Sequence, residues 1–497
     1  MGNKKVIIIG GGPAGLCAGC YLQMNGYDTE IFEMHDRVGG CCSSWERKGY
    51  IFDGCIHFLV GSGESNAYYS LWNELIDMQG MEIIDFEDFV QIEKGGISFT
   101  LFADPDKLKE EMIRIAPEDK VIIGEFTNAL KEYQKVKLSV DKAPETLGII
   151  GLFGLLKTMR PYLKLNKKWN ITMKDFLSRF NSQFFKDVFP DSFDGEDRSL
   201  LMILTPLSTM STKGAGYPIG GSLKFAQKIE ESYLSLGGKI SFNKKIKKII
   251  VDNNKAKGII LDNGEEHFGD IIISASDGYN TIYEMLEGKY LNKQIAEFYK
   301  SRELFGTMVR VSLGVNRTFE DTPHMYSLYI DEPIVFEENR KIDRLETTIY
   351  NFDPTLAPKG KTSVVVAIMT QNDEYWTNLR NKDRKKYNAE KDRIAEEVID
   401  RLDKYFGDFK SKVEVIDVAT PATYIRYTNN WKGRFMAWAL TPKSFKTLMK
   451  KTLPGLENFY LISQWSAFGG GVTTGLDQGR NVTQIICKED KKKFVTS

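Results

Sequence analysis

The sequence predicts an α/β protein built on a doubly wound parallel sheet, and three observations predict it. The first is that Val6–Ile9, an apolar strand, runs through Gly10-Gly11-Gly12 straight into a small-residue helix. The second is a hairpin-rich stretch at 241–276 whose last apolar run returns to a sheet. The third is a strand at Asn458–Ser463, followed by Gly469-Gly470-Gly471 and another helix. With 497 residues the chain is too long for one compact core, so two or three domains are expected.

Lys5–Ile9 is a short continuous apolar run, as a strand buried on both faces should be. The helix after it spans about Pro13 to Gln23 and is closed by Asn25-Gly26. Tyr27–Phe32 is a second strand and ends in Glu33. Gly10, Gly12 and Gly15 therefore occupy the three positions of G-x-G-x-x-G in the strand–turn–helix setting that gives the motif its meaning. Gly10 permits the tight turn, and Gly12 lets the backbone approach a pyrophosphate. Gly15 brings helix against strand, helped by Ala14, Ala18 and Gly19. The helix start at Pro13 and Ala14 offers unpaired N–H groups and a positive dipole end to phosphates. Glu33 stands where an acid accepts hydrogen bonds from ribose hydroxyls, and it would repel the 2′-phosphate of NADP.

The residues after that acid separate FAD from NAD. Glu33-Met34-His35-Asp36-Arg37-Val38-Gly39-Gly40 resembles the extension of the amine oxidase and phytoene desaturase flavoproteins, in which an acid is followed by a basic residue and a Gly-Gly that wraps the dinucleotide. The resemblance implies FAD as cofactor, with Arg37, Gly39, Gly40 and Cys41 among its contacts. Cys41 stands where desaturases and amine oxidases commonly carry arginine.

Further along, Lys245–Val251 and Ala256–Leu261 flank a turn at Asn253-Asn254, and Asn263-Gly264 signals a hairpin before the strand Asp270–Ile273. Tyr217–Ser222 opens a helix to about Leu236. The final helix is expected from Val472 to Ile486, with Gly475 and Gly479 forming a smooth face. Its start could stabilise the negative charge that hydride brings to a flavin's N1–C2=O edge. The plainer reading is a glycine-rich turn before a packing helix. Ile246, Gly470, Gly471 and Val472 join the cofactor candidates.

Together these pieces resemble the phytoene desaturase, carotenoid isomerase and retinol saturase group over Val6–Gly61, Gly216–Leu286 and Val418–Ile486. Gly39-Gly40-Cys41-Cys42 and the stretch Phe52–His57 look closest to retinol saturases, although Cys55 shifts the spacing by one. Thr420–Tyr427 looks more like the isomerase branch, and Gln464-Trp465 with the triple glycine is similar to bacterial desaturase-like members. The resemblance implies a discontinuous doubly wound (Rossmann-like) FAD domain with a β-meander, over 1–75, 215–290 and 450–490. An inserted α+β substrate domain would occupy 76–214 and 291–449. Its second block offers strands at Met308–Val315, Thr347–Asn351, Thr362–Met369, Val413–Ala419 and Arg434–Ala439. A helix near Tyr387–Tyr405 carries Ile394, Val398 and Leu402 on one stripe. The first block reads as mostly helical and aromatic-rich.

The implied chemistry is hydride transfer between flavin and an apolar polyene or isoprenoid-type substrate by a desaturase, saturase or isomerase. Such chemistry needs orientation more than a polar acid–base apparatus. His57 is the candidate nearest the flavin, set against a hydrogen-bonded histidine that merely closes its loop. Arg426 and Tyr427 are weaker candidates. No second G-x-G-x-x-G follows a predicted strand, so electrons should pass through oxygen, a quinone or a small carrier. Two other readings share the framework: an amine or porphyrinogen oxidase, and a non-catalytic prenyl-binding protein similar to Rab GDP-dissociation inhibitors.

Composition narrows the rest. Sixty-seven basic residues balance sixty-seven acidic ones, so no global field draws in nucleic acid. Five of the six cysteines precede residue 56; Cys17 and Cys20 fall inside the first helix and read as small packing residues. The four histidines lack metal-ligand spacing. No signal segment precedes the first strand and no run reaches membrane-span length, so a cytoplasmic chain is expected. Leu147–Leu163 is apolar to Leu156 and then basic, through Lys157, Arg160, Lys164, Lys167 and Lys168. It reads either as a segment near 140–170 that dips into a membrane surface or as a core helix or tunnel wall with a solvated basic end.

Overall fold

The computed structural model describes residues 3–444, 449–467 and 469–496. Five strands form a wholly parallel sheet in the order Lys239–Ser241, Asp28–Phe32, Lys5–Ile9, Ile271–Ser274, Phe459–Leu461. Lys5–Ile9 is central, and both of its faces are dry. Val6 and Ile8 pack in one apolar cluster with Leu16, Ile229 and Val482. Ile7 and Ile9 pack in another with Ile249 and Ile259. That two-sided burial is why the strand lacks polar alternation.

The first helix, Pro13–Met24, lies between Val472–Glu489 and Gly221–Ser235. The contact with Val472–Glu489 is nearly backbone to backbone. A Cβ on Gly475 would stand 2.8 Å from the Ala14 amide nitrogen, and one on Gly479 would stand 2.5 Å from that of Ala18. Cys17 and Cys20 are fully buried in this packing, as expected of small residues.

The meander Ile246–Asp252, Lys255–Leu261, Glu266–Phe268 turns at Asn253 and Asn254, both at positive φ. The sequence suggests that the chain passes from Asn263-Gly264 directly to the parallel sheet. The structure first inserts the short strand Glu266–Phe268, paired with Gly258–Ile260.

A seven-stranded sheet runs Val413–Ala419, Thr307–Val315, Thr362–Thr370, Arg340–Ile349, Met325–Phe336, Asp88–Lys94, Ile97–Phe102. Its pairings are antiparallel except between Met325–Phe336 and Asp88–Lys94. Helix Arg384–Phe406 buries Ile394, Val398 and Leu402 with Val309, Val311 and Leu313 of one sheet face. Alternation sends Met308 and Arg310 to the other face.

Two expectations need correction. Arg434–Ala439 is not a strand: it makes a single bridge, Trp438 with Leu304. The side chain of Arg434 pins it instead, through Gln371 Oε1 at 2.7 Å and Asp373 Oδ1 at 2.9 Å. Lys432 and Gly433, both at positive φ, turn the chain just before it. The first block is mostly helical, as expected, and adds a hairpin of Asp88–Lys94 and Ile97–Phe102 across Gly95-Gly96 at positive φ. Helix Ile149–Trp169 is no core helix: Ile149, Ile150 and Phe153 are 79%, 89% and 70% exposed. Among the described residues no helix is long and apolar enough to cross a membrane.

Candidate active site

The glycine turn ends the central strand where its carboxyl end opens on a cleft. Gly10 takes φ +100° and donates its N–H to Phe32 O at 2.9 Å. A Cβ on Gly15 would collide with the Gly10 carbonyl oxygen, so helix and strand can meet only at glycine. Gly12 is different: nothing lies nearer to its Cβ direction than Gly39 O at 3.9 Å, and the space beyond is cleft.

The residues after Glu33 fold back onto this turn. Gly39 N–H donates to Gly11 O at 2.9 Å, and Gly40 stacks over Gly12 with its Cβ direction 3.5 Å from that Cα. Glu33 is 6% exposed. Its Oε2 accepts from the Gly11 amide at 2.7 Å and its Oε1 from the His35 amide at 2.9 Å. Burial pushes its carboxyl pKa up, and those amides pull against the shift. A carboxylate has about four acceptor sites, so two backbone partners leave room for ligand hydroxyls.

Helix Val472–Glu489 supplies the opposite wall. Its N-cap, Gly471, sits at φ +112° with open space around its Cβ direction. Neither Gly12 nor Gly471 gives its helix a side-chain cap, so the first-turn N–H groups of both helices are left for a ligand.

Gly10, Gly12, Pro13, Ala14, Glu33, Gly40, Cys41, Ile246, Gly471 and Val472 line this one cleft. Gly15 and Gly39 stand behind it as packing residues. Gly470 also faces away from it, packed on Met436. Arg37 lies in an adjoining outer groove and forks onto Asp36, at 2.7 and 3.2 Å. Arg426 shares that groove and lies over the Tyr427 ring at 4.5 Å, while Tyr427 borders both groove and cleft.

Other lining residues carry no local sequence signal. Asp277 is buried, accepts from the amides of Asn280 at 2.8 Å and Trp431 at 2.9 Å, and is pushed up to about 7 by burial. Asn430 donates to Cys41 Sγ at 3.1 Å, and burial raises that thiol to about 12, which makes it an inert wall.

Beyond the cleft lies an inner cavity of about 210 Å³ over the free face of the seven-stranded sheet. Phe58, Phe89, Phe193, Met202 and Met308 give it an apolar lining. Phe435 borders both spaces, and Cys55 of the cleft is two residues from His57 of the cavity. His57 is exposed and lines this cavity, and among the described residues its ring makes no hydrogen bond. It is therefore not the hydrogen-bonded loop-closing histidine of the plainer expectation. Burial, then the Arg310 guanidinium, bring its pKa down to about 4. Its neighbour His324, stacked on Phe86 at 3.7 Å between centroids, falls to about 3.

A parallel sheet whose glycine turn meets two uncapped helix starts is the cradle of a dinucleotide-dependent oxidoreductase. The family described as "Flavin containing amine oxidoreductase" matches residues 13–487, and the chain belongs to it. The protein is an FAD-dependent oxidoreductase. It is 22% identical over 514 aligned positions to 4,4'-diapophytoene desaturase (4,4'-diapolycopene-forming) of a Methylomonas species, covering 99% of this chain and 97% of that one. It is 26% identical to the chloroplastic prolycopene isomerase of Arabidopsis thaliana, over 94% of this chain and 80% of that one. Its fold is similar to that of an oxidoreductase from Methanosarcina mazei, with a TM-score of 0.64 at 16% identity, covering 97% and 100% of the two chains. The cradle fits FAD: Gly12 and Gly471 leave open the space that a Cβ would fill, and the flanking amides are uncapped.

Proposed function

We propose that the protein transfers hydride between its FAD and an apolar polyene or isoprenoid-type substrate, as a desaturase, saturase or isomerase. The observation that carries this is the Phe- and Met-lined inner cavity, which meets the cofactor cleft at Phe435. The names of the two relatives, a diapophytoene desaturase and a prolycopene isomerase, support the same substrate class.

In this reading Gly10, Gly12, Pro13, Ala14 and Gly15 form the pyrophosphate turn. Glu33 takes the ribose, and Gly39, Gly40, Cys41 and Ile246 close over the dinucleotide. Gly471 and Val472 set the helix start opposite, with Gly470 shaping the loop and Arg37 guarding the outer groove. The FAD-binding part comprises 1–75, 215–290 and 450–490, and 76–214 with 291–449 form the substrate part. When bound, FAD supplies the hydride acceptor or donor. The chain's own residues orient and dry the substrate: Phe58, Phe89 and Phe193 exclude water, and His57 stays neutral at pH 7. At about 210 Å³ the cavity is below the roughly 300–1,000 Å³ that encloses a whole drug-sized ligand, so it takes one end of a long chain.

Electrons enter or leave through oxygen, a quinone or a small carrier that shares access to the cofactor. The substrate arrives from a membrane surface. Helix Ile149–Trp169 exposes Ile149, Ile150, Leu152, Phe153 and Leu156 ahead of exposed Lys157, Arg160 and Lys164, a pattern suited to anionic lipid headgroups. In this reading the protein is peripheral to a membrane.

The test is anaerobic reduction of the flavin-loaded protein, followed by a panel of polyenes and quinones. Each polyene is offered to both the oxidised and the reduced enzyme: a saturase is reoxidised by one, a desaturase has its oxidised flavin reduced by one, and an isomerase returns an isomerised product without net redox change. Quinones reacting while every polyene is inert in all three respects would overturn the reading.

A further inference from the structure

Arg310 is a buried cation with most of its donors unspent. It is 3% exposed, on the cavity face of strand Thr307–Val315. Among the described residues its guanidinium makes one hydrogen bond, from Nη1 to the Asp53 carbonyl oxygen at 2.7 Å, and no ion pair. Its Nε is buried with no acceptor. A guanidinium carries five N–H donors, so most of this one's capacity is unspent.

The other buried arginines show that the fold ordinarily pairs such groups. Arg198 lies on Asp194 and Glu303, at 2.9 and 2.8 Å. Arg434 meets Asp373 at 2.9 Å and Arg480 meets Glu74 at 2.8 Å. An unpaired buried charge is costly, so it persists where a partner arrives from outside.

The Asp53 carboxylate acts on Arg310 electrostatically without forming an ion pair, and the acids that line the cavity are already engaged. Arg344 and Glu346 face each other at 3.7 Å. Asp194 is held by Arg198, and Asp191 accepts from the Tyr329 hydroxyl at 2.7 Å. The Asp53 carboxylate is engaged by the Tyr217 hydroxyl at 3.0 Å and the Ser222 amide at 3.1 Å. A planar fork with unspent donors on the cavity wall matches a carboxylate, which it can grip through two parallel N–H bonds.

We propose that Arg310 is a specificity-determining residue that binds a carboxylate at the end of the substrate chain. The substrate is then an isoprenoid or polyene acid rather than a bare hydrocarbon. The inference rests on the reading of the inner cavity as the substrate site.

The experiment uses the FAD-loaded protein and chains that differ only at the end group. The probes are farnesoic and geranylgeranoic acids, the corresponding alcohols, and farnesene, with binding read from the flavin difference spectrum at pH 7.5. The acids should bind at least about tenfold more tightly than the alcohols, the scale of a charge-assisted hydrogen bond. R310M should erase that preference while keeping FAD, and R310K should retain part of it. Equal binding of acids, alcohols and hydrocarbon by the unmodified protein overturns the inference whether or not R310M folds, and leaves the substrate reading standing. Failure of every chain to bind overturns both. A shifted flavin midpoint potential in R310M with the acid preference intact would assign Arg310 to the cofactor and also overturn the proposal.

Discussion

The Glu33 carboxylate clamps the Gly11 amide at 2.7 Å, joining the end of the second strand to the glycine turn. The residue expected to meet ribose therefore also fixes the loop that approaches the phosphates. Removing it should cost the hydrogen bond to a charged group, worth about 1.5–3 kcal/mol, and so weaken FAD binding about tenfold or more in E33A. E33Q should lie between E33A and the unmodified protein. Titrating the apoprotein with FAD checks this, and unchanged affinity in E33A would remove Glu33 from the cradle.

The Gly479–Ala18 contact leaves no room for a methyl group. G479A should destabilise the fold by about 1–3 kcal/mol through forced separation of the two helices, despite the better helix propensity of alanine. Denaturant unfolding measures it. A variant as stable as the parent would show that the helices slide apart freely.

Asp277, pushed up to about 7 by burial, gives stability a pH signature. A carboxyl that holds its proton more tightly in the folded state contributes fully at low pH. That contribution fades as pH climbs from about 4, the unfolded value, through about 7. Relative to D277N, the parent protein should therefore lose roughly 2–4 kcal/mol between pH 4 and pH 8. Parallel Tm curves for the two proteins across that range would refute the buried-acid assignment.

On Ile149–Trp169, the triple variant I149S/I150S/F153S removes exposed side chains that support little of the core. Stability should stay within about 0.5 kcal/mol of the parent. Flotation with anionic vesicles at low salt should be lost, and the parent's own flotation should weaken as salt screens the basic residues. A parent protein that never floats defeats the membrane reading outright.

The cradle was legible because its chemistry is local: Gly10, Gly12, Gly15 and Glu33 sit within one strand–turn–helix–strand unit, and each residue type has a backbone reason. Strand Met325–Phe336 was illegible because Asp331-Glu332-Pro333 interrupts its pattern, where the pairing shifts register between Tyr329 and Ile334. Asp277 has no neighbour in sequence that explains it; one of its partners is the Trp431 amide, 154 residues away. Arg434 ended an expected strand for the same reason, since its anchors lie at Gln371 and Asp373. His57 could be named as a candidate from sequence, but only the fold places it on the wall of the inner cavity.

The parallel sheet draws its edge strand Phe459–Leu461, and the cleft its second wall Val472–Glu489, from segments synthesised long after the glycine turn. During translation the turn emerges first and waits, with one face of its helix bare, while several hundred residues follow. A ribosome that stalls before Val472 releases a chain with half a cradle and an uncovered Ala14–Ala18 surface, a natural mark for proteolysis. The cleft is therefore the last part of the fold that can close, because its second wall is the last helix to be made.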